Sequence, residues 1–365
     1  MEKLADGTDL YFLIRDMEDD SIAYLPTKYL MFKTRAKCSP NTVSQNARSL
    51  SYYLNYLEEI DQTIDGVLAL SYDHQFVHFT EFLQYLKAGK HTKVMRHPKN
   101  STCNTYLATA FQYFAYLKAE GLVKTDLKVL AEVHLSYVNS IGRRSFLSCM
   151  TFPGYLKKEM PIGRTIQKDR IQTLLHACTN ARDRLLLLLL AETGYRIGEI
   201  LGIRYASDLD LDTGEVRVRY REDNENGARA KNAEERTALI SPVAVSAAAT
   251  YLAEQQKLLL SQECLFVILK GKTRGRPLTI ESVYAMLRRL EKKTGIQATP
   301  HMLRHYFANE RRKDGWGLEL ISKALGHRSI ATTQRYLNIE AEELVQASEA
   351  YYEKHGSMIQ VGDLF

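Results

Sequence analysis

The chain has 365 residues, 45% of them hydrophobic and 25% charged, with a formal net charge of +6; it is long enough for two domains, and basic enough to permit nucleic-acid binding without requiring it. The five cysteines, Cys38, Cys103, Cys149, Cys178 and Cys264, are scattered and contain no C-x-x-C pair, which argues against a disulfide framework and against a cysteine-based zinc site. The opening MEKLADGTDLYF lacks the apolar core of a signal peptide, and the longest apolar run, 185–191, is too short to span a bilayer, so a cytoplasmic protein with no membrane partner is expected.

Residues 1–25 are weakly patterned and read as an N-terminal extension in which 11–14 form a short strand or the start of an arm. From Thr27 onward the texture is helical, and a helical domain is expected over 26–135. Ser39-Pro40 supplies an N-cap followed by proline at the first helical position. Residues 49–57 (SLSYYLNYL), 76–86 and 106–117 (YLATAFQYFAYL) place aromatic and leucine side chains at helical spacing. Their tyrosines are read as packing groups rather than base-stacking ones. Between the last two helices lies GKHTKVMRHPKN, residues 89–100, with Lys90, Lys93, Arg96 and Lys99 and no acid. It is either a solvated loop or a loop that contacts DNA phosphates.

Residues 136–160 carry Gly142, Pro153, Gly154 and the basic pair Arg143-Arg144, two further candidate DNA contacts. They read as a linker. The second domain is expected over 161–345. It opens with helices around Ile171 and over 183–192, continues with an alternating run at 215–220 (EVRVRY), a polar turn and a returning strand at 237–240, then turns helical again after Pro242 and at Thr279. The expected fold is therefore mostly α: a helical first domain and a mainly α second domain with a small antiparallel β-sheet. Beyond it, 340–352 has helical spacing in Leu344, Ala347 and Tyr351, and the chain ends on Met358, Ile359, Val361, Leu364 and Phe365. This tail, 346–365, either folds on its own domain or contacts a neighbouring protomer.

Four segments of the second domain carry reactive side chains. In ETGYRIGEILGIR, Arg196 follows a buried helix and a glycine, with Glu199 three residues on; this is a surface ion pair, or a guanidinium held at a cleft. The turn ARAKNAEER holds Lys231, solvated unless the hairpin reaches over a substrate, with Arg229 as its rival. In TPHMLRHYF, Thr299 and Pro300 start a helix that puts His301, Arg304 and His305 on one face. A helix N-terminus with a cation favours phosphate; a metal on the two histidines would be repelled by Arg304. In LGHRSIATTQRYLNI, Gly326 caps one helix, His327 stands in the turn and Tyr336 follows on the next helix. Each has a structural explanation when taken alone.

Together, two arginines, a lysine, histidines and a tyrosine make a metal-free phosphoryl-transfer set. Paired guanidiniums suit the non-bridging oxygens of a phosphodiester, and a phenol, with a free pKa of ~10, needs nearby cations and a base to act as nucleophile. The ordered run Arg196, Lys231, His301-x-x-Arg304, His327, Tyr336 resembles the tyrosine recombinase (phage integrase) family, through its TG-x-R-x-x-E, H-x-L-R-H and GH-x-x-x-x-TT-x-x-Y boxes. The resemblance covers about residues 160–345, and the helical first domain fits the family's core-binding domain. The gap from Arg196 to Lys231 is longer than is usual in the family.

The resemblance implies that Arg196 and Arg304 clamp the scissile phosphate. Lys231 would protonate the departing 5′-oxygen, His301 would serve Tyr336 as base or hydrogen-bond partner, and His327 would bond a non-bridging oxygen. Tyr336 would form a 3′-phosphotyrosine, and His305 would support the site structurally. It further implies double-stranded DNA as partner, no cofactor, and a tetrameric homo-oligomeric synapse, with a second recombinase or accessory protein as further partners. A two-domain member of transposon-encoded or chromosome-resolving type is expected. The competing readings are an enzyme resembling type IB topoisomerases and a catalytically silent DNA-binding regulator on the same fold.

Overall fold

The computed structural model describes residues 2–6, 9–15, 19–138, 144–159, 164–221, 224–228, 235–327, 332–333 and 353. The chain divides into two compact units, Met1–Met160 and Pro161–Phe365.

The first unit opens with an antiparallel hairpin, β1 (Glu2–Asp6) and β2 (Asp9–Leu13). Five helices follow: α1 (Tyr24–Arg35), α2 (Pro40–Glu59), α3 (Ile64–Ala69), α4 (Tyr72–Lys87) and α5 (Asn100–Ala119). Ser39, Thr63 and Ser71 each accept a backbone N–H at the start of α2, α3 and α4, which is why the chain turns helical where it does. The core between the helices is aromatic. Tyr53, Phe79 and Phe82 are fully buried; Tyr53 stacks on Phe79 and meets Phe82 edge to face, with ring centroids 5.1 Å apart. The Tyr53 hydroxyl and His78 Nε2, two buried polar groups, share a hydrogen bond at 3.0 Å.

The first unit differs from the sequence reading at both ends. The stretch expected as an N-terminal extension sends Phe12 and Ile14 into the core of this unit. A second antiparallel hairpin, β3 (Ala131–Val138) and β4 (Arg144–Thr151), starts at the end of the expected helical domain and runs into the stretch expected as a linker, and Phe152, Tyr155 and Leu156 pack into the same core. Asn104 on α5 bonds Leu156 in both directions, at 2.8 and 3.0 Å. Glu159 accepts Asn100 N–H at 2.7 Å and caps α5 from a distance. Glycines and prolines there mark turns within a packed segment, which composition does not distinguish from turns within a tether.

The second unit is built around α7 (Ala181–Thr193), whose six consecutive leucines, 185–190, are all buried. Around it lie α6 (Lys168–Ala177), the short α8 (Ile197–Ile200), α9 (Pro242–Glu254), α10 (Gln256–Leu259), α11 (Ile280–Thr294), α12 (Pro300–Lys313) and α13 (Leu318–Leu325). A helix apolar on every side must be covered on every side, and α9 and α12 pack directly against it. The sheet has three antiparallel strands in the order β5 (Leu209–Asp210), β6 (Glu215–Val218), β7 (Arg236–Leu239), with Val216 opposite Ala238. Among the described residues, no helix is long and apolar enough to cross a membrane.

Candidate active site

The C-terminal end of α7 sets the position of the site. Gly194 ends the helix in the left-handed conformation, φ 64°, and a Cβ there would stand 2.5 Å from the Phe307 ring and 2.9 Å from Leu325. Only glycine lets α12 and α13 come this close to the turn that delivers Arg196.

Arg196 is held by its own helix start. Glu199, with no exposed side-chain surface, accepts the Arg196 backbone N–H at 2.7 Å and Nη1 at 2.9 Å. Nη2 of Arg196 donates to the Gly326 carbonyl at 3.1 Å. The side chain remains 25% exposed, so the pair is no solvated surface ion pair, and the guanidinium keeps an open side.

Helix α12 begins as its sequence predicts, with Thr299 accepting Met302 N–H at 3.2 Å and Pro300 in the first turn. Arg304 lies one turn in, buried, and donates to the Gly194 carbonyl and the Leu325 carbonyl at 2.7 Å each. Its Nη2 also stands 2.8 Å from His327 Nε2. His327 follows Gly326, whose φ of 63° closes α13, and its N–H donates back to Ser322 O at 3.0 Å. Its Nδ1 meets the fully buried Thr333 hydroxyl at 2.9 Å. A guanidinium can only donate, so Nε2 accepts and the ring proton sits on Nδ1. Burial first, then the charges of Arg304, Arg196 and Arg236, bring the His327 pKa down to about 3, which keeps the ring neutral.

His301 is the exposed histidine of α12, with its ring 4.6 Å from that of buried His305 in an edge-to-face contact. Partial desolvation, then the charges of Arg304 and Arg196, lower its pKa. A depressed pKa suits a group that must accept a proton. Among the described residues no group of three His, Cys, Asp or Glu side chains is arranged to hold a metal ion.

Thus Arg196, Arg304, His301 and His327, drawn from three separate sequence boxes, come together at one end of α7. Tyr336, Lys231 and its rival Arg229 lie outside the described residues, as does the tail, 346–365, apart from Glu353. Sequence reasoning missed Arg236. On β7, it donates to Glu199 Oε2 at 2.6 Å and its guanidinium lies 5.1 Å from the Tyr195 ring centre. It missed Thr333 as well. Nothing in a strand of the pattern RTAL marks its arginine as inward-facing.

The cationic loop of the first unit is built rather than loose. Gly89, φ 76°, packs where a Cβ would meet Met95 backbone at 2.7 Å. Met95 itself has φ 46°, and His91 is buried against Tyr52, ring centres 4.8 Å apart. Lys90, Lys93, Arg96 and Lys99 are all exposed; only Lys90 has an acidic neighbour among the described residues, Glu59 at 4.0 Å. Arg143 falls outside the described residues; Arg144 opens β4, but its side chain is not described.

Residues 164–343 match the model of the phage integrase family. The chain is 27% identical over 336 residues to transposase A from transposon Tn554 of Staphylococcus aureus, covering 90% of each protein. It is 32% identical over 240 residues to tyrosine recombinase XerA of Saccharolobus solfataricus, covering 62% of this chain and 72% of the relative. The fold is similar to that of the XerH site-specific recombinase bound to a palindromic difH substrate, with a TM-score of 0.60 at 18% identity over 89% of this chain and 88% of that one. It is also similar to the Tn1549 transposon integrase in complex with transposon right end DNA, with a TM-score of 0.60 at 16% identity over 91% of this chain and 98% of that one.

Proposed function

The chain belongs to the phage integrase family of tyrosine recombinases, and we propose that it cuts and rejoins duplex DNA through a covalent 3′-phosphotyrosine on Tyr336. It is a site-specific DNA recombinase, a strand-transferring enzyme. The observation that supports the residue-level reading is that Arg196 and Arg304 converge on the Gly194, Leu325 and Gly326 carbonyls, with His327 bonded to Arg304 and His301 near enough to feel both charges.

In this reading the Tyr336 phenol oxygen attacks the scissile phosphorus. The phosphorus–tyrosine bond forms as the bond to the 5′-oxygen breaks. His301 takes the phenol proton and Lys231 gives one to the departing 5′-oxygen. Arg196 and Arg304 bind the non-bridging oxygens, where charge gathers in the transition state. When phosphate arrives, one of its oxygens replaces His327 Nε2 as acceptor for Arg304. His327 then donates from Nε2, and the Thr333 hydroxyl, able to donate or accept, follows the change of tautomer. Rejoining is the same step reversed, with a 5′-hydroxyl as nucleophile. The bond energy is kept in the phosphotyrosine, so the proposal calls for no nucleotide, metal or other cofactor.

Exposed Lys90, Lys93, Arg96 and Lys99 contact the DNA backbone, and Arg143 and Arg144 are further candidate contacts. Four protomers gather on two sites, with a partner recombinase or accessory protein as a further component, in the cytoplasm. The likeness to a transposon-encoded enzyme over 90% of both chains favours movement of a mobile element over dimer resolution. The test is a nicked suicide duplex bearing the element's end. Wild type should be trapped as a covalent adduct, and Tyr336→Phe should bind the same DNA without forming one.

A further inference from the structure

Arg236 has no part in the chemistry above, yet it stands within it. Its side chain is 8% exposed. Nη2 reaches Glu199 Oε2 at 2.6 Å, while Nε and Nη1 are buried with no hydrogen-bond partner among the described residues. The guanidinium is held from its other side by the Tyr195 ring. The Tyr195 hydroxyl, in turn, donates to the carbonyls of Val216 at 3.1 Å and Arg236 at 3.3 Å. Tyr195 is the neighbour of Arg196, so one dipeptide is fastened to β7 through both its residues and Glu199.

Charge counting shows what this accomplishes. Glu199 is a single carboxylate with no exposed side-chain surface, and Arg196 is bonded to it through Nη1 and the backbone N–H. Paired with Arg196 alone, it would cancel the charge that a phosphate must feel, and in a buried setting the cancellation would be little screened by water. With Arg236 on the other oxygen the same carboxylate is divided between two guanidiniums, and the trio keeps one net positive charge. The charge of Arg236 also reaches His327, whose ring it helps to hold neutral.

We propose that Arg236 is a positioning residue: by sharing Glu199 with Arg196, it leaves the Arg196 guanidinium oriented and electrically available to the scissile phosphate. The inference rests on the reading of Arg196 as a phosphate clamp.

The test is single-turnover cleavage of the suicide duplex by the full-length protein. Arg236→Met should slow adduct formation on the order of 10–100-fold, with site affinity within about threefold of wild type. Adding Glu199→Gln to that variant should restore at least roughly fivefold of the lost rate, because the stranded carboxylate is gone. A neutral methylphosphonate at the scissile position should shrink the Arg236→Met deficit, since the charge being preserved has less to oppose. A purely structural tie between β7 and α8 predicts the reverse: the double variant is slower than the single one, and the methylphosphonate deficit is unchanged. Either that pattern or full-rate cleavage by Arg236→Met overturns the proposal. If Arg236→Met does not fold, Arg236→Lys keeps the charge and should cleave within about tenfold of wild type; a well-folded Lys variant as slow as Arg196→Ala overturns it instead. A wild-type protein that makes no adduct refutes the recombinase reading itself, and so is distinguishable from these outcomes.

Discussion

Arg304 and His327 meet directly: Nη2 of the arginine faces Nε2 of the histidine at 2.8 Å. Their link extends to Thr333 Oγ1, which receives the histidine's Nδ1 proton at 2.9 Å. Thr333→Val removes that acceptor while preserving shape. One neutral hydrogen bond is worth about 1 kcal/mol, so cleavage should slow roughly fivefold. In a double-mutant cycle, the losses from Thr333→Val and His327→Ala should be strongly non-additive. Additive rates would mean that the hydroxyl does not act through the ring.

The nucleophile assignment has the sharpest outcome. Tyr336→Phe should retain gel-shift affinity for its site and lose covalent capture altogether, because only the phenol oxygen is removed. An adduct trapped with the Phe variant would place the nucleophile at another residue.

The two clamp arginines should differ in stability as well as in rate. Arg196→Ala and Arg304→Ala should each cut the cleavage rate on the order of 10²–10³-fold while site binding changes little. Arg304 is buried and satisfies the carbonyls of Gly194 and Leu325. Its removal leaves unpaired acceptors and a void, and should cost a further ~2–4 kcal/mol of folding stability. Arg196 is a quarter exposed, so its alanine variant should melt closer to wild type. Thermal melts beside single-turnover rates check both halves.

What was legible in the sequence followed from local rules. Thr299-Pro300 announced a helix start, and His301, Arg304 and His305 had to share its face. The leucine run announced a buried helix. What was not legible depended on contacts distant in sequence. Glu159 caps α5 from 59 residues away, and Arg236 reaches Glu199 across 37. No local pattern encodes either. Residues 136–160 read as a linker because glycine and proline report turns but not whether the turns are packed.

Acid should destabilise the first unit through His78. Burial holds its pKa down to about 4 in the folded chain, against ~6.5 when unfolded. The unfolded chain therefore binds more protons between those values. The stabilising contribution is complete above pH ~6.5 and is lost as pH falls toward 4, reaching roughly 3 kcal/mol there. In the second unit, His327 adds a drain of the same sign down to about 3. Melting temperatures at pH 7, 6, 5 and 4 should fall along this course. His78→Gln, which can still accept from the Tyr53 hydroxyl, should flatten it. An equally steep fall in the variant would assign the acid sensitivity to other groups.

The cationic loop can be tested by separating its charge from its shape. Each phosphate contact releases condensed counterions, so log affinity falls linearly with log salt, by nearly one unit of slope per contact. Replacing Lys90, Lys93, Arg96 and Lys99 together with alanine should lower the slope by roughly one unit for each residue that touches a phosphate. Lys90 is the candidate for the smallest share, since Glu59 lies 4.0 Å from it. Gly89→Ala alters shape alone: its φ of 76° and the Met95 backbone at 2.7 Å leave no room for a methyl group. That variant keeps every charge, yet should bind more weakly, because the cations no longer stand where the backbone passes. If the loop were only a solvated connection, neither variant would change the slope, and Gly89→Ala would affect melting without affecting DNA affinity. Titrations at 50, 100 and 200 mM salt on a duplex with one site measure both quantities directly.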